Sequence, residues 1–221
     1  MTNTIEIDLV MHLFTTALDG RNTPIADGVE RALGRAPWSF SDFVPEASAT
    51  GVWEATMADR ALYGLTFTSA IGSLIVAGVF FAFSNFIMPA LGRIPEAQGI
   101  AAMNSINVTV ISPLFMLALF GTALLCLAVA GGSFLSAVQS TKWLIVAAAL
   151  IYVIGCTGVT MIFNVPLNDA LAAVPLNTPQ ATELWQHYLG DWTFWNSVRT
   201  GASLMSGTML IGALAGWQPA S

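Results

Sequence analysis

The chain has 221 residues, of which 55% are hydrophobic and 9% charged, with a mean hydropathy of +0.70. Soluble domains carry about a quarter charged residues, so this composition excludes an ordinary soluble fold and indicates a membrane protein. The formal charge of −6 does not imply a basic partner, because nine of the thirteen acids lie before Ala61 together with four arginines. Beyond Ala61 four acids face only Arg93, Lys142 and Arg199, which leaves no basic patch for a phosphate backbone and excludes nucleic-acid binding.

Residues 1–60 read as a short, weakly structured N-terminal extension, too small for a core of its own. Asn22-Thr23-Pro24 marks a turn, a short helix is expected over Ala26 to Leu33 with Gly34 as its stop, and a second starts at Ser39 and is limited by Pro45. Glu6 and Asp8 precede any Lys or Arg, unlike the basic-then-apolar order of a signal peptide, so the later spans are expected to direct insertion. The stretch Val29-Glu30-Arg31-Ala32-Leu33-Gly34-Arg35-Ala36-Pro37-Trp38-Ser39-Phe40-Ser41-Asp42-Phe43 resembles the C-terminal tail of NmrA-like NAD(P)-binding proteins. No Gly-rich phosphate loop accompanies it, so the extension is expected to be a fusion remnant without a nucleotide site, with Met57 as an alternative start.

Residues 61–221 are expected to form an all-α, four-transmembrane-helix antiparallel bundle. No charge occurs over 61–92, 97–141, 143–168 or 200–221, and a bilayer crossing needs roughly 20 apolar residues. The spans are placed at Leu62 to Pro89, Ile106 to Ala130, Trp143 to Pro166 and Trp195 to Trp217, with Pro89 and Pro166 ending the odd-numbered helices. Trp143 and Trp217 belong to one interface and Trp185, Trp192 and Trp195 to the other. An even number of crossings puts both termini on one side, and the arginines of the extension with Lys142 favour the cytoplasmic side of the cell inner membrane. Asn104-Ser105-Ile106-Asn107 and Asn196-Ser197-Val198-Arg199 open the even helices, either as traces of a duplicated hairpin or by coincidence. Gly212 and Gly216 have the spacing of a close helix contact, within the chain or in a homo-oligomer. Cys126 and Cys156 fall inside spans as small buried thiols.

The four-helix arrangement gathers Asn85, Asn104, Asn107, Asn164, Asn196 and Arg199 at one membrane face. Polar side chains next to lipid need partners, so these are expected to point into the bundle, as helix caps and interhelical bonds or as a binding site. Arg199 suits an oxyanion or carboxylate, or snorkels to headgroups. His187 and Asp191 lie four residues apart before Trp195, either as a general base with its orienting carboxylate or as interfacial groups. No histidine cluster is available for a metal or haem, and a chain of ionisable residues suited to ion-coupled transport is missing from the spans.

The runs Gly78-Val79-Phe80-Phe81-Ala82-Phe83-Ser84-Asn85-Phe86-Ile87-Met88-Pro89-Ala90-Leu91, Met103-Asn104-Ser105-Ile106-Asn107, Asn164-Val165-Pro166-Leu167-Asn168 and Trp192-Thr193-Phe194-Trp195-Asn196-Ser197-Val198-Arg199-Thr200 resemble the anthrone-oxygenase-like membrane family over about residues 62–217. The resemblance implies oxidation of an anthrone-like or phenolic lipophilic substrate by O2 without a cofactor, beside membrane lipid. In that chemistry Arg199, Asn196 and Asn107 hold the oxyanion, His187 with Asp191 is the base, and Trp192 or Trp195 stacks on the rings. Asn85, Asn104 and Asn164 complete the binding set. Ser197 stands where the family often has His, which removes one proton-handling position. The rival expectations are a membrane carrier for a lipophilic ligand and a structural subunit.

Overall fold

A computed structural model of the chain describes residues 28–36, 39–49, 52–135 and 140–217, and the regular structure among them is helical throughout, without strands. The chain divides into two compact units, Met1–Gly51 and Val52–Ser221. In the first, α1 covers Gly28–Leu33 and α2 covers Phe40–Ala49. Gly34 closes α1 at φ +64, a conformation glycine adopts without steric penalty. Ser39 opens α2, its Oγ accepting from the Asp42 amide at 3.1 Å and donating to Asp42 Oδ2 at 2.6 Å. Pro45 does not stop α2, because in its second turn only the Ser41 carbonyl must give way. The expected turn at Asn22-Thr23-Pro24 lies outside the described residues.

Among its described residues the second unit contains five helices. α3 runs over Val52–Ala82 and continues through a π-helical stretch, Phe83–Ile87, into Met88–Leu91. α4 is Glu96–Thr109. α5 joins Pro113–Met116, the π-helical Leu117–Gly121 and Thr122–Gly132. α6 joins Lys142–Tyr152, the π-helical Val153–Gly158 and Thr160–Asn164, and Val165–Ala173. α7 is Pro179–Ala215. Met57–Leu91, Pro113–Gly132 and Lys142–Ala173 are each long and apolar enough to cross a membrane. Their outward faces carry Phe67, Ile75, Leu114, Leu124, Leu150 and Ile154, all exposed. Such an exterior suits lipid and not water, and the chain is an integral membrane protein. α7 is less apolar because it holds Glu183, His187, Asp191 and Arg199.

Four boundaries differ from the sequence expectation. Pro89 and Pro166 do not end their helices, which run on to Leu91 and Ala173. A π-helical stretch stands just before each proline, and its wider turn accommodates the missing N–H and the ring. The second apolar helix starts at Pro113, not Ile106. Ser112 caps it, accepting from the Phe115 amide at 3.3 Å, and Pro113 fits the first helical position. Asn104 and Asn107 therefore sit on the separate helix α4. The helix expected from Trp195 begins instead at Pro179, where Thr178 Oγ1 accepts from the Ala181 amide at 3.2 Å.

Contacts between α3 and α7 run in opposite chain order: Tyr63 meets Trp217 edge to face at 5.4 Å, and the Phe80 carbonyl accepts from Asn196. Small residues allow this approach. A Cβ on Gly207 would lie 2.8 Å from Leu74 Cγ and 3.3 Å from the Ala70 carbonyl. Gly207→Val is expected to destabilise the bundle by about 1–3 kcal/mol, read as a lower Tm in detergent; an unchanged Tm would contradict the contact. Gly212 and Gly216 face Leu144 and Thr141 of the same chain.

One apolar core lies between the long helices and includes Val76, Leu119, Tyr152 and Leu210. A second, with Met88, Ile100, Met103, Leu171, Trp185 and Tyr188, binds α4 to the ends of α3 and α6 and to the first half of α7. Glu96 fastens that cap by accepting from Thr182 Oγ1 at 2.7 Å and Gln186 Nε2 at 3.2 Å.

Candidate functional site

Every third or fourth residue of α7 is buried: Trp185, Tyr188, Trp192, Asn196, Arg199 and Ser203 form one stripe. The middle of this stripe borders a cavity of about 540 Å³ whose walls come from α3 to α7. Phe80, Phe83, Met103, Phe115, Leu119 and Trp192 make the apolar walls. α6 contributes one face at helical spacing, Thr160, Asn164, Val165, Asn168, Asp169 and Ala172.

Arg199, 4% exposed, stands on the cavity wall. Its Nη2 donates to Asn196 Oδ1 at 2.7 Å and its Nη1 to Thr160 Oγ1 at 3.2 Å. The guanidinium carbon lies 4.1 Å from the Phe80 ring centroid and 5.3 Å from that of Trp192. Nε has no acceptor among the described residues, and the two hydrogen-bond partners of the cation are neutral. Asn196 is itself held by donating to the Phe80 carbonyl at 2.6 Å and Ser84 Oγ at 2.7 Å, which fixes the cation relative to α3.

The remaining polar groups are equally ordered. Asn164 Nδ2 donates to the Trp192 carbonyl at 3.2 Å, and its Oδ1 is buried without a donor. Asn168 Oδ1 accepts from both Tyr188 Oη and Trp192 Nε1 at 2.8 Å. Burial pushes the Tyr188 phenol above its usual range, so it remains a neutral donor. Tyr188 lies nearly parallel to both Trp185 and Trp192, and Trp192 tilts against Phe83 at 5.7 Å. Asn104 Nδ2 donates to the Leu171 carbonyl at 3.4 Å, while its Oδ1 is buried without a donor.

Of the residues singled out in the sequence, Asn104, Asn107, Asn164, Trp192 and Arg199 line the cavity, and Asn196 supports Arg199 from behind. Asn85 does not join them: it is exposed in the π-helical stretch, and its neighbour Ser84 reaches Asn196 and Ser197 instead. Trp195 stacks on Phe163 at 3.6 Å outside the cavity. His187 and Asp191 do share a helix face, but both are exposed and neither lines the cavity. Each precedes a buried residue, Tyr188 or Trp192, by one position, which turns it about 100° from the buried stripe. His187→Ala and Asp191→Ala are therefore expected to change turnover less than about twofold, measured as initial rates at equal expression; a tenfold loss in either would put the chemistry elsewhere. Sequence reasoning passed over Asn168 and Asp169, although Asn168 is four residues after Asn164 on the same face. Among the described residues, no group of three His, Cys, Asp or Glu is placed to hold a metal.

A sequence model described as anthrone oxygenase matches residues 113–209. This part of the chain is similar to the anthrone-oxygenase family. The matched stretch starts with α5 and ends in α7. It thus includes Thr160, Asn164, Asn168, Trp192, Asn196 and Arg199, whereas Asn85, Asn104 and Asn107 precede it. No curated protein and no solved structure matches the chain.

Proposed function

We propose that this protein is an oxygenase that converts an anthrone-like or phenolic lipophilic substrate to the corresponding quinone with molecular oxygen, drawing its electrons from the substrate and from no resident cofactor. The observation that carries the reading is Arg199, a buried cation with neutral partners on the wall of an aromatic cavity. A buried charge without a counter-charge is costly, and an oxyanion at this point offsets that cost. The cavity walls suit flat rings, and the volume suits a ligand of a few fused rings.

The chemistry follows from stabilising one anion. An anthrone methylene loses a proton to water at the cavity mouth, and the resulting enolate places its negative oxygen at Arg199. The electron-rich carbon then combines with O2 to give a hydroperoxide, which loses water to leave a second carbonyl. One anthrone and one O2 give one anthraquinone and one water. Asn164 and Asn107 border the same space and help to orient the oxygen-bearing ring, while Trp192 and Phe83 hold its faces.

The same reading makes the second half of α7, from Trp195 onward, the fourth crossing of an antiparallel four-span bundle in the cell inner membrane, with both termini in the cytoplasm. Asn196, Arg199, Ser203 and Ser206 are buried, and the exposed Ser197 and Thr208 hydroxyls donate to the Thr193 and Leu204 carbonyls of the same helix, which supports a helix that keeps its polarity from lipid. The test is anthrone loss and oxygen uptake in membranes containing the protein, against matched empty membranes. Equal molar consumption of both above the spontaneous rate is expected, and no excess with several anthrones would overturn the oxygenase reading in favour of a binding protein.

A further inference from the structure

The cavity is polarised along its length. Arg199 supplies donors at one end, beside Thr160. Asp169 borders the same cavity from α6, nine residues further along the chain and more than one helical turn away. Asp169 and Arg199 are the two charged residues on the cavity wall among the described residues, and this separation keeps them from pairing. Beside the Asp169 end stands Asn104, anchored to the Leu171 carbonyl, with its Oδ1 buried and without a donor. Opposite the Arg199 donors the site therefore offers two acceptors, the exposed Asp169 carboxylate and the buried Asn104 oxygen.

The acceptor end has no evident structural purpose. Asp169 is in the last two turns of α6, where the helix dipole disfavours a carboxylate, and no basic residue stands in the last turn. No described residue hydrogen-bonds or ion-pairs with it, so it serves neither as a cap nor as a bridge. The turn that carries it is nevertheless held rigidly, because the preceding Asn168 accepts from both Tyr188 and Trp192.

We propose that Asp169 and Asn104 read a hydroxyl group on the substrate, at the end opposite its oxyanion. This deepens the oxygenase reading and rests on it: the substrate class becomes a flat phenolic ketone with a second hydroxyl on its far ring. With the oxyanion at Arg199 and the hydroxyl beside Asp169, the two oxygens stand on different rings of a fused system. Asp169 accepts from the hydroxyl, and the buried Asn104 oxygen shares that proton donor or takes a neighbouring one. A site that accepts from a hydroxyl discriminates against a ligand that lacks it, because its buried acceptor, Asn104 Oδ1, is then left without a partner.

The test is a binding measurement independent of turnover. Three anthraquinones, which have no methylene to oxidise, are titrated into the purified full chain in detergent and followed by quenching of tryptophan fluorescence. They are a monohydroxy compound, the same compound with an added hydroxyl on the farthest ring, and the methyl ether of that added hydroxyl. The wild-type protein is expected to bind the dihydroxy compound on the order of tenfold more tightly than the other two. Asp169→Ala is expected to erase that preference without changing affinity for the monohydroxy compound, and Asp169→Asn, which keeps an acceptor oxygen, to retain part of it. Equal binding of all three by the wild type, or a preference that survives in Asp169→Ala, overturns this proposal while leaving the oxygenase reading standing. Failure of the wild type to bind any of them overturns both.

Discussion

Arg199→Met is expected to lower oxygen-dependent turnover by about 100- to 1000-fold, the loss typical when a preorganised oxyanion donor is removed. The fold should survive. Methionine fills much of the same apolar space between Phe80 and Trp192, and exchanging a buried charge for an apolar side chain is often neutral or stabilising by about 1–4 kcal/mol. A variant with an equal or higher Tm and no activity would show a charge retained for chemistry. Arg199→Lys should also fall by at least about tenfold. One ammonium cannot reproduce the planar fork that reaches Asn196 and Thr160 while a further donor faces the cavity. Initial rates at equal expression, with thermal unfolding in detergent, check both; a methionine variant at wild-type rate would remove Arg199 from the reaction.

Trp192→Ala is expected to have the largest effect on stability, about 3–5 kcal/mol, with loss of turnover. The indole joins the two functions of the cap. It packs in the second core, stacks beside Tyr188, donates to Asn168 and forms cavity wall beside Arg199. Trp192→Phe separates these roles, since it keeps a ring against Phe83 but removes the donor to Asn168. A cost near 1 kcal/mol is expected for that smaller change. If Trp192→Ala unfolded at the wild-type temperature, the cap would not depend on this packing.

Much of the fold was legible because lipid imposes a simple rule: long uncharged runs become helices, and polar residues at helical spacing turn inward. That rule located α3, α5 and α6 and brought Asn104, Asn107, Asn164 and Arg199 to one region. It could not place the helix ends. Pro89 and Pro166 were read as stops because a regular α-helix cannot absorb them, but π-helical turns carry no compositional mark. The break before Pro113 sits inside an uncharged run, so charge did not reveal it, although Ser112-Pro113 has the form of a cap and first-turn proline.

The candidate site was legible in residue type and less so in orientation. His187 and Asp191 have the spacing of a catalytic pair, yet the bulky residues Trp185, Tyr188 and Trp192 decide which face of α7 is buried. Their aromatic stripe was visible in the sequence and outranks a polar pair one position away. Asn85 faces outward for a different reason: the π-helical stretch widens the turn and changes which residues face inward, so that Ser84 makes the contact. Asp169 was not singled out as lining the cavity because Pro166 was read as the end of its helix, which left it in a connection.

The most direct measurement is the absorption spectrum of an anthrone mixed with the purified protein under strict exclusion of oxygen, at a pH where the free anthrone is neutral. If Arg199 holds the oxyanion, the wild-type protein should shift the bound anthrone to the long-wavelength spectrum of its enolate, and Arg199→Met should leave it neutral. Admission of O2 should then discharge the enolate to anthraquinone in a single turnover. A wild-type protein that binds the anthrone but leaves its spectrum neutral would contradict anion stabilisation at Arg199 and the reaction built on it.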